Sequence, residues 1–287
     1  MTDTETLISW HRTREAFLKH EQTLPADCLG ETTLTRKLEV EGICPVCNTG
    51  TIFKVCSPNL REGLVCMRCR LTARQRILVL AFSQSGVPAG GKGAVLERFS
   101  RLYRRLRQID PGLQGSEYLG SEAKKGRYRV WTTSGRLPVP RLVRHESITS
   151  MSFRAGSIKC LLHADVLEHV PDTRAALVEC RRVLAPGAPM IFTVPFFTSQ
   201  EATTVRGYYD DSGALVELLP GEYHGDGVRS GGIYTYYNFG WPLFELMRDV
   251  FSTAEIGVAY SPEHGLVQAC CVPGPWNMRS IVFRCRA

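Results

Sequence analysis

The sequence predicts an α/β fold, a parallel sheet covered by helices, with a small four-cysteine metal module ahead of it. Two stretches carry that expectation. Ile158 to His163 is a short apolar run ending at Ala164-Asp165, and Pro171-Asp172 then breaks the chain. Ala175, Ala176, Val178, Val183 and Leu184 fall at helical spacing, Pro186-Gly187 stops that helix, and Met190 to Phe196 is a second apolar run. Strand, helix and strand in about forty residues make a crossover unit, the building block of parallel sheets. The second stretch holds Cys44-Pro-Val-Cys47 and Cys66-Met-Arg-Cys69. Each pair presents two thiolates from a tight knuckle, and two knuckles complete a tetrahedral zinc shell. A shell closed by Cys44, Cys47, Cys66 and Cys69 leaves no position for substrate, so the expected zinc is structural. A redox use of the CxxC pairs is the competing reading.

At 287 residues the chain has room for one large domain and a small one. The expected boundaries are a helical segment over 1–40, the zinc module with its linking helix over 41–86, and the α/β domain over 87–287. A hydrophobic share of 44% suits a globular protein, and no apolar run approaches the roughly 18 residues of a membrane span. The polar, mixed-charge start gives cytoplasmic as the expected location, with no membrane partner. Of the eleven cysteines, Cys160, Cys180, Cys270 and Cys271 sit in apolar patterns and read as core residues, while Cys56 lies outside the metal set. A net charge of +7 permits an anionic partner without specifying one.

In chain order, residues 4–22 read as an amphipathic helix ended by Leu24-Pro25. Arg61, Arg68, Arg70, Arg74 and Arg76 surround the cysteines, but few aromatics interleave with them. A base-stacking surface is therefore disfavoured, and the arginines read as a solvated face or a joint. Thr72-Ala-Arg-Gln75 has capping-box spacing and opens a helix reaching Gly86. Ala94 to Glu97 is a short strand, followed by Arg98-Phe99-Ser100 and a basic helix over 99–108 carrying Arg101, Arg104, Arg105 and Arg107. That helix either holds an anion near its N-terminus or simply faces solvent. Gly115 to Gly120 is a second strand with Glu117 at its end, and Leu142 to His145 is a third after a variable segment.

Ligands of open parallel sheets sit outside the carboxyl ends of the strands. Asp165, Glu168 and His169 follow directly on a strand and belong in that mouth; the alternative is that Glu168-His169 only caps a helix start. A long insertion, Thr198 to Phe239, contains Glu222-Tyr223-His224-Gly225-Asp226, a cluster of carboxylates, phenol and imidazole. Tyr223 and His224 either act there or pin the loop. Trp241 to Phe251 reads as a helix, and Glu255 to Tyr260 and Ser280 to Cys285 as closing strands.

The strings DVLEHVPD (165–172) and RVLAPGAPMIFTVPF (182–196) resemble class I S-adenosylmethionine-dependent methyltransferases. With the two CxxC pairs, GSEYLG, EYHGD and Phe239-Gly240-Trp241, the chain resembles a zinc-containing, methyltransferase-like subgroup over roughly residues 40 to 285. The resemblance implies a Rossmann-like class I methyltransferase fold with a substrate lid at 198–239. It implies that Glu117 bonds the ribose hydroxyls, that His145 to Ile148 is the adenine-contacting loop, and that Glu97, Ser100, Ser147, Ile148 and Asp165 complete the cofactor-binding set. The glycine turn of that family is replaced here by Arg98-Phe99-Ser100, an acid by Ser147 and another by Lys159. S-adenosylmethionine is thus the implied cofactor, with its binding expected to be weakened.

The implied function is a small-molecule biosynthetic enzyme with methyl transfer as the family default. Such a reaction holds the acceptor in line with the methyl group and needs a base for a protonated acceptor. His169 and His224 are the candidate bases, oriented by Asp165 or Asp226, with Tyr223 and Glu168 beside them. Two alternatives stay open. One is a non-methylating cyclisation or elimination on an anionic intermediate, gripped by the arginine-rich helix. The other is a non-catalytic partner of another protein, or a zinc-dependent nucleic-acid binder, which steep salt dependence would reveal.

Overall fold

The computed structural model describes residues 7–25, 38–132, 140–225, 228–229, 231–267 and 279–287. Its strands are β1 (Ser9–His11), β2 (Glu39–Cys44), β3 (Thr49–Val55), β4 (Leu64–Cys66), β5 (Gly93–Val95), β6 (Leu113–Glu117), β7 (Tyr128–Thr132), β8 (Pro140–His145), β9 (Leu161–Ala164) and β10 (Pro189–Thr193). Six short strands follow in the insertion: β11 (Thr204–Val205), β12 (Gly207–Tyr209), β13 (Leu215–Glu217), β14 (Tyr223–His224), β15 (Ile233–Tyr234) and β16 (Tyr237–Asn238). The chain closes with β17 (Thr253–Val258) and β18 (Ile281–Arg286). The chain divides into two units, one of residues 1–86, 191–193 and 253–284, the other of residues 87–190, 194–252 and 285–287.

In the first unit β2, β3 and β4 form an antiparallel three-stranded sheet, with Cys44 opposite Thr49 and Phe53 opposite Cys66. The helix Ala73–Ser83 follows, and its capping box is formed: Thr72 accepts from the Gln75 amide and Gln75 accepts from the Thr72 amide. The expected helix over 4–22 is shorter. It runs from Arg14 to Glu21, capped by Thr13, while Ser9–His11 is a strand paired antiparallel with β17. A pairing partner some 245 positions away overrides the local helical pattern, as tertiary context commonly does. Cys270 and Cys271 lie outside the described residues.

In the second unit the strand order is β9-β5-β6-β8-β7. β5 pairs in parallel with both β6 and β9, and β6 in parallel with β8; only β7 runs antiparallel. The helix Thr173–Val183 supplies the crossover after β9, capped by Asp172 on the Ala175 amide. The helix Arg101–Ile109 buries Leu102, Tyr103 and Leu106. It seats closely on β6 because Gly115 has no side chain: a Cβ there would lie 2.6 Å from the Tyr103 ring. Cys160 and Cys180 are buried, as read from sequence. β7 falls in the segment read as variable. Among the described residues no helix is long and apolar enough to cross a membrane.

Candidate functional site

The four strands β5, β6, β8 and β9 end at one cavity of about 730 Å³. Each contributes residues at or just past its carboxyl end: Leu96 and Glu97 from β5, Glu117 and Tyr118 from β6, Glu146 and Ser147 from β8, Asp165 from β9. This is the mouth that the parallel order predicts. Every residue expected on the cofactor side lines it: Glu97, Ser100, Glu117, Ser147, Ile148 and Asp165. His169 lines it as well. The insertion completes the wall through Tyr209, Gly225, Arg229, Ile233, Tyr234 and Tyr236. Asp165 holds a backbone φ of +52°, in the left-handed region. Aspartate tolerates this region better than most residues but still at a cost of roughly 1–2 kcal/mol. That strain falls at the cavity wall, where it turns the chain sharply off β9.

The loop after β5 is built differently from a glycine turn. Ser100 caps the helix Arg101–Ile109 by accepting the Tyr103 amide at 2.9 Å. Glu117 Oε1 accepts the amides of Arg98 at 2.7 Å and Phe99 at 3.1 Å. Two backbone donors of this loop are thereby taken up by the carboxylate that the resemblance assigns to ribose. Phe99 itself lines the cavity.

Two expectations are corrected here. Lys159 does not line the cavity; it pairs with Asp110 at 2.5 Å and donates to the carbonyls of Pro88 and Gly90, next to the start of β5. Its replacement of an acid therefore removes nothing from the site. The arginines of the helix 101–109 do not grip anything in the cavity either. Leu102, Tyr103 and Leu106 take the buried face, which turns Arg101, Arg104 and Arg107 to solvent and leaves Arg105 half-buried beside Gln108. Among the described residues, the arginine that lines the cavity is Arg229, whose guanidinium lies 5.3 Å from the Tyr118 ring centre.

The structure brings Glu168, His169 and His224 together and leaves Tyr223 out, 58% exposed against the Tyr234 ring. The two imidazoles meet edge to face with centres 5.0 Å apart. His169 Nδ1 bonds the Tyr234 carbonyl at 2.8 Å, which places its proton on Nδ1 and directs the Nε2 lone pair inward. His224 Nε2 bonds Glu222 at 3.0 Å, and Arg206 holds the other oxygen of Glu222 at 3.2 Å. Burial pulls the His224 pKa down, yet Glu168 and Glu222 outweigh it and leave the imidazole above its ordinary value. Among the described residues, Glu222 rather than Asp165 orients His224; Asp226 lies outside them. Glu222 stood in plain view in the 222–226 string, but only the β14–β15 pairing, with His224 opposite Ile233, shows which imidazole it serves.

In the first unit the sulfurs of Cys44, Cys47, Cys66 and Cys69 lie within 4.8 Å of one another, and Cys56 is exposed away from them. The two knuckles repeat one geometry. The Asn48 amide bonds the Cys44 carbonyl and the Arg70 amide the Cys66 carbonyl, both at 2.8 Å, with Asn48 and Arg70 at φ of +52° and +62°. As thiols alone, Cys44 and Cys69 donate toward Cys66, which drives Cys66 to the thiolate and pushes Cys44 up to about 12. The arginines nearby are not a solvated face. Arg61 and Arg74 pair with Glu62 at 2.6 and 2.5 Å. Arg76 is completely buried, donating to the carbonyls of Leu64, Leu71 and Gly265. Of these five arginines, Arg68 and Arg70 are exposed.

Residues 88–192 match the model of a family described as a methyltransferase domain. The ubiquinone biosynthesis O-methyltransferase of Hahella chejuensis is 33% identical over 100 residues, covering 30% of this chain and 42% of the relative. The chain thus spans less than half the length of that curated relative. Among solved structures, an S-adenosylmethionine-dependent methyltransferase from Mesorhizobium loti is 11% identical, with 73% of this chain and 98% of that chain covered and a TM-score of 0.41. The [4+2]-cyclase SpnF is 10% identical, with 45% and 47% covered and a TM-score of 0.33. Over residues 88–192 the chain is thus similar to methyltransferase domains, and the parallel strand order of the second unit is that of a Rossmann-like fold.

Proposed function

We propose that the chain is a small-molecule enzyme of the methyltransferase kind, working in the cavity at the ends of β5, β6, β8 and β9, with a degenerate cofactor site. The observation that carries this reading is the convergence of Glu97, Ser100, Glu117, Ser147, Ile148, Asp165 and His169 on one cavity. The residues present do not make a full seat for S-adenosylmethionine. Glu117 is engaged by the Arg98 and Phe99 amides, and the Phe99 side chain stands where close backbone approach is needed. The substrate is a small anion: Arg229 supplies a cation on the cavity wall, and the segment 198–239 acts as its lid. The acceptor reacts at the wall formed by His169, with His224 and Glu168 behind it.

The engagement of Glu117 also favours a second reading, a non-methylating reaction on the same anionic substrate. Transfer of labelled methyl groups from concentrated S-adenosylmethionine to a small-molecule fraction separates the two. Transfer lost in a folded His169→Ala chain is the expected result, and transfer indifferent to that substitution contradicts the site. If folded wild-type chain transfers no label, the second reading stands.

The four-cysteine cluster is read as a structural zinc site. Zinc–sulfur bonds of ~2.3 Å in a tetrahedron place sulfurs about 3.8 Å apart, and Cys44 and Cys69 are 3.8 Å apart. A zinc joined to four thiolates carries net negative charge. Burial pushes the pKa of Arg76 down, and the thiolates of this cluster pull against that without cancelling it; Arg76 has no carboxylate partner among the described residues.

A further inference from the structure

Glu168 is the most anomalous charged group in the second unit. It is fully buried, and among the described residues neither carboxylate oxygen makes a hydrogen bond. An ion taken out of water costs several kcal/mol unless cations or donors meet it. What faces Glu168 Oε1 is His169 Nε2 at 3.7 Å and His224 Nδ1 at 3.7 Å, both beyond hydrogen-bond reach. The three donor atoms nevertheless lie within 4.8 Å of one another.

The far side of each imidazole is anchored. His169 Nδ1 bonds the Tyr234 carbonyl, and His224 Nε2 bonds Glu222, itself held by Arg206. Metal-ligating histidines are held in this way, the outer N–H given to a carbonyl or carboxylate so that the inner lone pair faces the ion. A mere histidine–glutamate ion pair needs no such outer anchors and would close the 3.7 Å gaps into hydrogen bonds.

We infer that Glu168, His169 and His224 form a second metal site, separate from the four cysteines, for a divalent first-row transition ion. Two imidazoles and one carboxylate suit zinc, iron or manganese rather than calcium or magnesium, which prefer all-oxygen shells. Bonds of ~2.0–2.2 Å at tetrahedral angles put ligand atoms roughly 3.3–3.6 Å apart, so each of the two 3.7 Å Glu168–histidine separations closes by a few tenths of an ångström, and the imidazole nitrogens, within 4.8 Å of each other, close with them. Three protein ligands leave a position open. His169 lines the cavity, so that position takes an anionic oxygen of the substrate, a carboxylate, phenolate or enolate, and lowers its pKa. This last step rests on the cavity being the substrate site; the metal site does not.

The test loads the full chain with zinc, dialyses it against a weak competitor, and reads elemental stoichiometry and X-ray absorption. Zinc is the apt probe because such sites hold it more tightly than manganese or iron. Beyond any sulfur-bound zinc, the site predicts one further zinc per chain with nitrogen and oxygen neighbours at ~2.0–2.2 Å. Glu168→Gln and His224→Ala each lose it while the sulfur-bound zinc stays, and half-buried His224 covers the case where the Glu168 variant fails to fold. Glu222→Gln keeps all three ligands and weakens the second zinc by about 10–100-fold. Wild-type chain holding only sulfur-bound zinc overturns the inference, as does a nitrogen- and oxygen-bound zinc that survives His224→Ala. Neither result depends on methyl transfer, so each leaves the cavity reading to its own test.

Discussion

The Glu117 carboxylate accepts the Arg98 backbone amide at 2.7 Å, tying the end of β6 to the loop that leaves β5. The same oxygen takes the Phe99 amide, so the carboxylate staples a loop that has no glycine. Removing it strands two amides. Hydrogen bonds to a charged group contribute about 1.5–3 kcal/mol, so Glu117→Ala should lower the urea midpoint by that much stability at an unchanged slope. An unaltered midpoint would show that the staple is incidental.

The cysteine cluster and Arg76 should fail together. Cys66→Ser is expected to lose the sulfur-bound zinc and much of the first unit's stability. Arg76→Met orphans the Leu64, Leu71 and Gly265 carbonyls and should cost at least about 3 kcal/mol. Metal analysis and thermal melting check both; a Cys66→Ser chain that keeps its zinc and its melting temperature contradicts the four-thiolate shell.

His163 supplies a pH signature. Burial pushes its pKa from 6.5 down to about 3, against a weaker upward pull from Asp165. A depressed histidine stays neutral in the folded chain while the unfolded chain takes up a proton. Its contribution is therefore intact above pH 6.5 and declines between pH 6.5 and about 3, by about 1.4 kcal/mol per pH unit. His163→Met should remove that share of the acid slope. If the two chains lose stability in parallel across this window, the imidazole is not held neutral.

What the sequence revealed follows from how local each signal is. The strand–helix–strand succession between Ile158 and Phe196, the Thr72 capping box and the two cysteine knuckles are written in spacings of a few residues, and all three are present. β7 escaped because it is an edge strand: Tyr128 and Val130 are exposed, so no buried alternation marks them. β1 escaped because its partner, Ile256 to Val258, is remote in sequence. Lys159 was misplaced for a related reason. Alignment to a motif put it in the site, while its partner Asp110 lies at the far end of the helix 101–109. Glu222 and Tyr234 acquire their roles only when β14 and β15 pair and fold over His169.

The most direct measurement is a calorimetric titration of the full chain with S-adenosylmethionine. Because Lys159 lies outside the cavity, two losses remain, the glycine turn and the acid at Ser147. Together they are worth about 2–6 kcal/mol when each lost contact costs ~1–3 kcal/mol, or roughly one and a half to four orders of magnitude in affinity. The account predicts millimolar binding or none. Saturable micromolar binding, abolished by Glu117→Ala, would contradict it and make methyl transfer the firm reading.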